Sequence, residues 1–166
     1  MLPGGAARAQ TPFADARKGF VTTFREARRL GRPVPQPPRG QGRVVRYPSA
    51  VGPLPALVTA ISQDGRRRPA IVWISGGDAN TVDGSVREAA PPDNDQTARQ
   101  YREAGIVTLD PSLRGGNDNP ASREGYFGEV DDVLAASDWL AAQPGIDPAR
   151  ISLGGHSAEA TLKPFP

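Results

Sequence analysis

Three short stretches of this 166-residue chain hold residues whose types could do chemistry, and each follows an apolar run: Ser75-Gly76-Gly77-Asp78, Asp110 to Gly116, and Gly154-Gly155-His156-Ser157-Ala158-Glu159. The last is the most informative. A serine on a tight strand-to-helix turn projects its hydroxyl above the sheet. The N–H of the next residue points into the same space and can stabilise an oxyanion. Ser157 is therefore the candidate nucleophile and the Ala158 N–H a candidate oxyanion donor. Such turns read G-x-S-x-G, and Glu159 occupies the position of the final glycine. Its side chain falls where a strained turn packs against neighbouring backbone. A loop after an earlier strand supplies a second donor in such sites, and Gly76 or Gly77 could provide it with no side chain in the way.

His156 is the only histidine. Adjacent residues at a sharp turn point in different directions, whereas a base must come within about 2.6–3.2 Å of the serine hydroxyl. His156 is accordingly expected to pack beside the turn and not to serve Ser157. Asp110 ends an apolar run, where a loop-capping role is expected, and Arg114 is expected to pair with Glu129 or Asp131 and fix the following loop. The absence of cysteine excludes disulfides and thiolate metal sites. With one histidine as well, no zinc site is expected, and no cofactor is implied. Neither a G-x-G-x-x-G after the first strand nor a G-x-x-x-x-G-K-[ST] loop is present, so nucleotide binding has little support.

The elements that must position these residues alternate strand and helix. "RVVRYPS" and "LPALVTAIS" predict two early strands, antiparallel because their connection is short. "AIVWIS" (70–75) and "GIVTLD" (105–110) are continuous apolar runs, as expected of strands buried on both faces. Between them, Asn94 or Asp95 could cap a helix that Gly105 ends. "LRGGNDNPASREG" reads as a loop. A longer helix follows from about Gly128 to Gln143, with Val130, Val133, Leu134, Ser137, Leu140 and Ala141 on one face and Asp131, Asp132 and Asp138 mostly outside it. "PGIDP" breaks the chain and "ARISLGG" is the last strand. The order predicts a mostly parallel α/β sheet with helices on both faces, and ligands bind beyond the carboxyl ends of such strands.

Charge divides the chain. Residues 1–46 carry 10 Lys and Arg against 2 Asp and Glu, and the other 120 carry 10 against 16. The excess thus belongs to an arm over residues 1–42: a helix started by Thr11-Pro12, with Phe13, Phe20 and Phe24 on an apolar side, then the Pro-rich linker "RPVPQPPRG". The body is 43–166. Such an arm is most simply a solvated surface; the functional alternative is a non-catalytic module that lays this helix on a membrane surface or nucleic acid. No nucleic-acid partner is expected for the body. No run of about 18 apolar residues suggests a transmembrane span. Ala7-Arg8-Ala9 looks like a secretory cleavage site, but the apolar segment that should precede it is missing. The compartment is left open: cytoplasmic is the expectation for the sequence as written, periplasmic or secreted if a signal lies upstream.

Taken together, "VWISGG", "LDPSLRGGNDNP" and "GYFGEVDDVLAASDWLAAQPGIDPARISLGGHS" resemble the α/β-hydrolase fold. More narrowly, they resemble the catalytic domain of prolyl-oligopeptidase-type serine peptidases, including dipeptidyl and acylaminoacyl peptidase relatives, over roughly residues 43–162. The resemblance implies a partial α/β-hydrolase with Ser157 as nucleophile, the Ala158 N–H and the Ser75–Gly77 loop at the oxyanion, and His156 as part of the elbow. The implied chemistry is acyl transfer to water from a peptide or ester. In that family an acid and a base histidine follow the serine, whereas the nine residues after Ser157 include neither Asp nor His. The expectation is a chain truncated after the elbow, catalytically incomplete alone, whose last strand is an exposed edge able to drive association.

Overall fold

The computed structural model describes residues 31–76, 80–88, 90–119 and 121–157, with 15, 18, 19, 22, 23 and 25 of the arm. Phe13, Phe20 and Phe24 lie outside the described residues, as do Gly77, Ala158 and Glu159.

Among the described residues five strands form one sheet: β1 (Arg43–Tyr47), β2 (Leu54–Val58), β3 (Arg68–Ile74), β4 (Val107–Pro111) and β5 (Ile146–Gly155), in the order β1-β2-β4-β3-β5. β1 pairs antiparallel with β2 and β2 antiparallel with β4, while β3 lies parallel to both β4 and β5. The sheet is thus mixed, and its parallel half consists of the three strands with glycine-bearing ends. The β2–β4 ladder ends at Ala56 opposite Pro111, as expected where proline has no N–H to donate.

Two helices cross between the parallel strands: α1 (Arg99–Glu103) joins β3 to β4, and α2 (Glu129–Ala141) joins β4 to β5. Side chains alternate along a strand, and this divides the core. Leu54, Ala56, Val58, Ala70, Val72, Ile74, Val107 and Leu109 pack with Val133, Ala136 and Leu140 of α2. On the other face Leu57 clusters with Val34, Val82 and Val86, and the Trp73 ring meets Tyr101 of α1 with centroids 5.5 Å apart. Val34 shows that the Pro-rich segment lies on the body here: the side chain is buried in that cluster.

Several expectations are corrected in detail. Asp95 does not cap α1; it accepts from Thr97 N and Oγ1 in a turn two residues earlier, and the N-cap is Ala98 without a side-chain bond. Gly105 does follow the helix in the left-handed region, at φ 77°. On α2, Leu134 is exposed, whereas Asp132 is fully buried. A guanidinium from the loop meets Asp132, and that contact outweighs its polarity. The break at "PGIDP" is a bulge inside β5: Ile146 opposes Arg68, residues 147–150 bow out, and pairing resumes at Ile151 opposite Ala70. Asp147 closes the bow by accepting from Ala149 N and Arg150 Nε.

Candidate active site

The chain order reverses at β3: β4 lies on one side of it and β5 on the other. In open α/β sheets the crevice at such a switch point, beyond the carboxyl ends of the strands, is where ligands bind. Ser75 and Gly76 follow β3, and His156 and Ser157 follow β5, which pairs with β3 as far as Ile74 opposite Gly155. The backbone register continues one step further, as His156 N donates to Ile74 O at 3.1 Å. Two stretches far apart in sequence therefore meet because their strands are neighbours.

Ser157 is exposed and has φ 61°. That left-handed conformation costs a residue with a Cβ roughly 1–2 kcal/mol. Strain of this kind concentrates at functional sites. Gly76 is the residue on which the turn rests. A Cβ built there would lie 2.8 Å from His156 Nδ1 and 3.1 Å from Ser157 Cβ, so glycine is what permits the approach. Gly77 and Ala158, the other expected oxyanion donors, lie outside the described residues.

His156 directs Nδ1 against Gly76, and that buried nitrogen has no hydrogen-bond partner among the described residues. No described hydrogen bond joins its ring to the Ser157 hydroxyl. Beside the turn, a cleft of about 250 Å³ is lined by Ser75, Gly76, Asn80, Thr81, Pro111 and Leu113 among others. It lies over the carboxyl ends of β3 and β4 and is more polar than a lipid-chain slot would be.

The loop after β4 forms one wall of this cleft, and it is locked. Arg114 donates from Nε and its backbone N to Asp132 Oδ2, and from Nη2 to Oδ1, all at 2.8–2.9 Å. A further ion pair joins Arg114 to Glu124 at 3.2 Å. Sequence spacing pointed to Glu129 or Asp131 as the partner. Glu129 instead accepts from Asn80 Nδ2 and Glu124 N, and the bidentate partner is Asp132. Asn80, itself at φ 48°, receives Leu113 N and Ser112 Oγ on its carbonyl. Asn117 bonds both ways with the Val82 backbone, and Asn119 closes the turn through Gly115 N and Leu113 O. Sequence reasoning missed Asn80, Asn117 and Asp132. The density of asparagines between glycines in "RGGNDN" is the one signal that could have marked a side-chain-stapled turn.

Asp110, expected to cap the loop, instead faces away from it. It is fully buried, and burial lifts its carboxyl to about pH 6 against the opposing pull of Arg87 and Arg102. Arg87 Nη2 reaches Asp110 Oδ2 at 3.3 Å. It alternates with Leu109 and so sits on the face opposite α2.

No family model matches the sequence, and no curated protein does. Solved structures do. The esterase of Pyrobaculum calidifontis is 27% identical with a TM-score of 0.52, over 76% of this chain and 38% of its own. A lidless α/β serine hydrolase of Xanthomonas campestris is 25% identical with a TM-score of 0.51, over 78% of this chain and 60% of its own. An acylaminoacyl peptidase, at 19% identity and a TM-score of 0.50, covers 69% of this chain and 19% of its own; at that identity it speaks for the fold alone. The chain has a partial α/β-hydrolase fold and spans about two fifths of the length of the Pyrobaculum esterase. The likeness is to serine hydrolases broadly, and the narrower prolyl-oligopeptidase resemblance has only the fold in its favour.

Proposed function

We propose that this chain is a serine-hydrolase relative acting on carboxylic esters, with Ser157 as nucleophile. Its Oγ would form a bond to the ester carbonyl carbon while the hydroxyl proton passes to solvent water, or to imidazole where it is added. Backbone N–H groups of the turn and of the Ser75–Gly77 loop would hold the developing oxyanion, and the alkoxide would leave to give an acyl-serine that water hydrolyses. The observation that carries this reading is the left-handed Ser157, seated against a glycine at which a Cβ would crowd His156 and Ser157, at the switch point of the sheet. Esters are favoured over peptides because the neighbours at 25% identity or above include the Pyrobaculum esterase, while the peptidase falls below it. Residues 43–166 would be the hydrolase unit and 1–42 an appended arm.

The same reading predicts weak turnover. The sole histidine is turned toward Gly76, so these 166 residues offer Ser157 no imidazole. Without a triad base, an enzyme keeps only what its oxyanion hole and binding supply, about 10³–10⁴-fold over water. A fluorophosphonate probe tests both statements. Slow labelling that maps to Ser157, is accelerated by added imidazole and disappears in Ser157→Ala is expected. Equal labelling of wild type and Ser157→Ala would overturn the assignment, and fast labelling without imidazole would overturn the predicted weakness.

A further inference from the structure

The face opposite α2 holds a second polar cluster, built on β4 and not on the strands that lead into Ser75 and Ser157. Arg87, from the turn Gly84–Arg87, and Arg102, on α1, approach one carboxylate, Asp110. Arg87 has a side chain only 5% exposed and gives Asp110 a single long contact at 3.3 Å. Its Nη1 lies 3.5 Å from Thr59 Oγ1, and Arg102 donates Nη2 to Val86 O at 3.1 Å. The remaining donors are stranded: Arg87 Nε and Arg102 Nη1 are buried with no hydrogen-bond partner among the described residues. Two guanidiniums face one buried carboxylate, with Asp95 and Glu103 also acting on Arg102 from the side of Arg99, and the two buried donors are still left without an acceptor among the described residues. Burial lowers the proton affinity of both arginines, as expected where opposite charge is insufficient.

Both arginines, with Thr59 and Gln41, line an open cleft of about 370 Å³. Arg99 is on its rim but is held by Asp95 at 2.9 Å. Two carboxylates, Glu88 and Glu103, also border the cleft, and both residues are exposed to solvent. Buried polar groups are as a rule hydrogen-bonded, and a buried N–H donor left without an acceptor is costly. Guanidinium forks also match the geometry of carboxylate and phosphate oxygens. We propose that this cleft binds a small oxyanion, a carboxylate or phosphate group, between Arg87 and Arg102, with Gln41 on its lining available as a further polar contact. The site is independent of the reading of Ser157.

The test is a titration of the full chain with inorganic phosphate and, separately, acetate, at ionic strength held constant with sodium chloride. The arginine Nε–Hε resonances are followed by NMR. Saturable shifts of the Arg87 and Arg102 signals are expected with at least one of the two anions. The tighter of the two tells whether a tetrahedral or a planar oxyanion is preferred. Arg102→Gln should weaken binding at least tenfold, whereas Glu103→Gln should leave it unchanged or tighter. Shifts that chloride reproduces, that fail to saturate, or that are equal in Arg102→Gln would overturn the proposal. Should Arg102→Gln fail to fold, the wild-type titration against chloride still decides.

Discussion

The loops that leave β4 and β5 start at the same end of the same sheet, yet they are opposites. The loop after β4 is buried and stapled: both oxygens of Asp132 hold Arg114, and the side chains of Asn80, Asn117 and Asn119 bond to backbone. The turn after β5 is exposed at Ser157, left-handed there, and carries an imidazole nitrogen with no hydrogen-bond partner among the described residues. The contrast separates a scaffold from a site. Satisfied polar groups fix one wall of the cleft, and strain is tolerated where a reacting hydroxyl has to stand clear of the backbone.

The contrast breaks most sharply at Asp132. Asp132→Ala leaves Arg114 a buried charge without its bidentate partner, which is expected to cost about 3–5 kcal/mol in urea unfolding. A cost within that of a surface change would mean the loop is not stapled by this pair. Asp110, near the end of β4 on the face opposite α2, gives a pH signature. Its folded carboxyl titrates near pH 6 and its ordinary value is 3.8, so the folded protein binds this proton more tightly than the unfolded chain. The stabilising effect of the protonated form is fully present below about pH 4 and lost as pH rises through 6. The difference in unfolding free energy, wild type minus Asp110→Asn, should therefore fall by something of the order of 3 kcal/mol from pH 4 to 7. Carboxylates held low by partners, such as Asp95, act in the opposite direction and cancel in that difference. A flat difference would place Asp110 in a wetter environment.

The strained turn yields smaller effects. Gly76→Ala drives a methyl into His156 and Ser157. The His156 ring can swing aside but the backbone of the turn cannot, so a loss of about 1–2 kcal/mol is expected, together with slower fluorophosphonate labelling. Labelling at the wild-type rate would detach Gly76 from the site. Smallest is Ser157→Gly, which removes the nucleophile yet should raise stability by about 0.5–1 kcal/mol, because glycine adopts a positive φ freely. A loss instead would show that the serine side chain, and not the backbone, dominates at that position.

Much of the frame was legible in the sequence. Continuous apolar runs located β3 and β4, short connection and composition set β1 against β2, and "LGGHS" marked a strand running into a tight turn. Less of the site was legible. The pairing of Arg114 with Asp132 over Glu129 or Asp131 depends on where α2 starts and how it rotates, and one residue of helical phase swings a side chain by about 100°. Burial of Asp132 and exposure of Leu134 are two sides of the same rotation. The Arg87–Asp110–Arg102 cluster had no signature, because its members come from a short turn, a strand and a helix with no common spacing.

By itself the sequence determined the local shapes: which runs extend, where glycines permit turns, and that Ser157 stands at a strand end behind two glycines and a histidine. Those follow from neighbours a few residues apart. Only the tertiary structure decided that Gly76 supports Ser157, that Asp132 holds the loop after β4, and that two arginines converge on Asp110. Those meetings depend on β3 lying between β4 and β5, a strand order fixed by burial of both faces of the sheet and by the side on which each helix crosses.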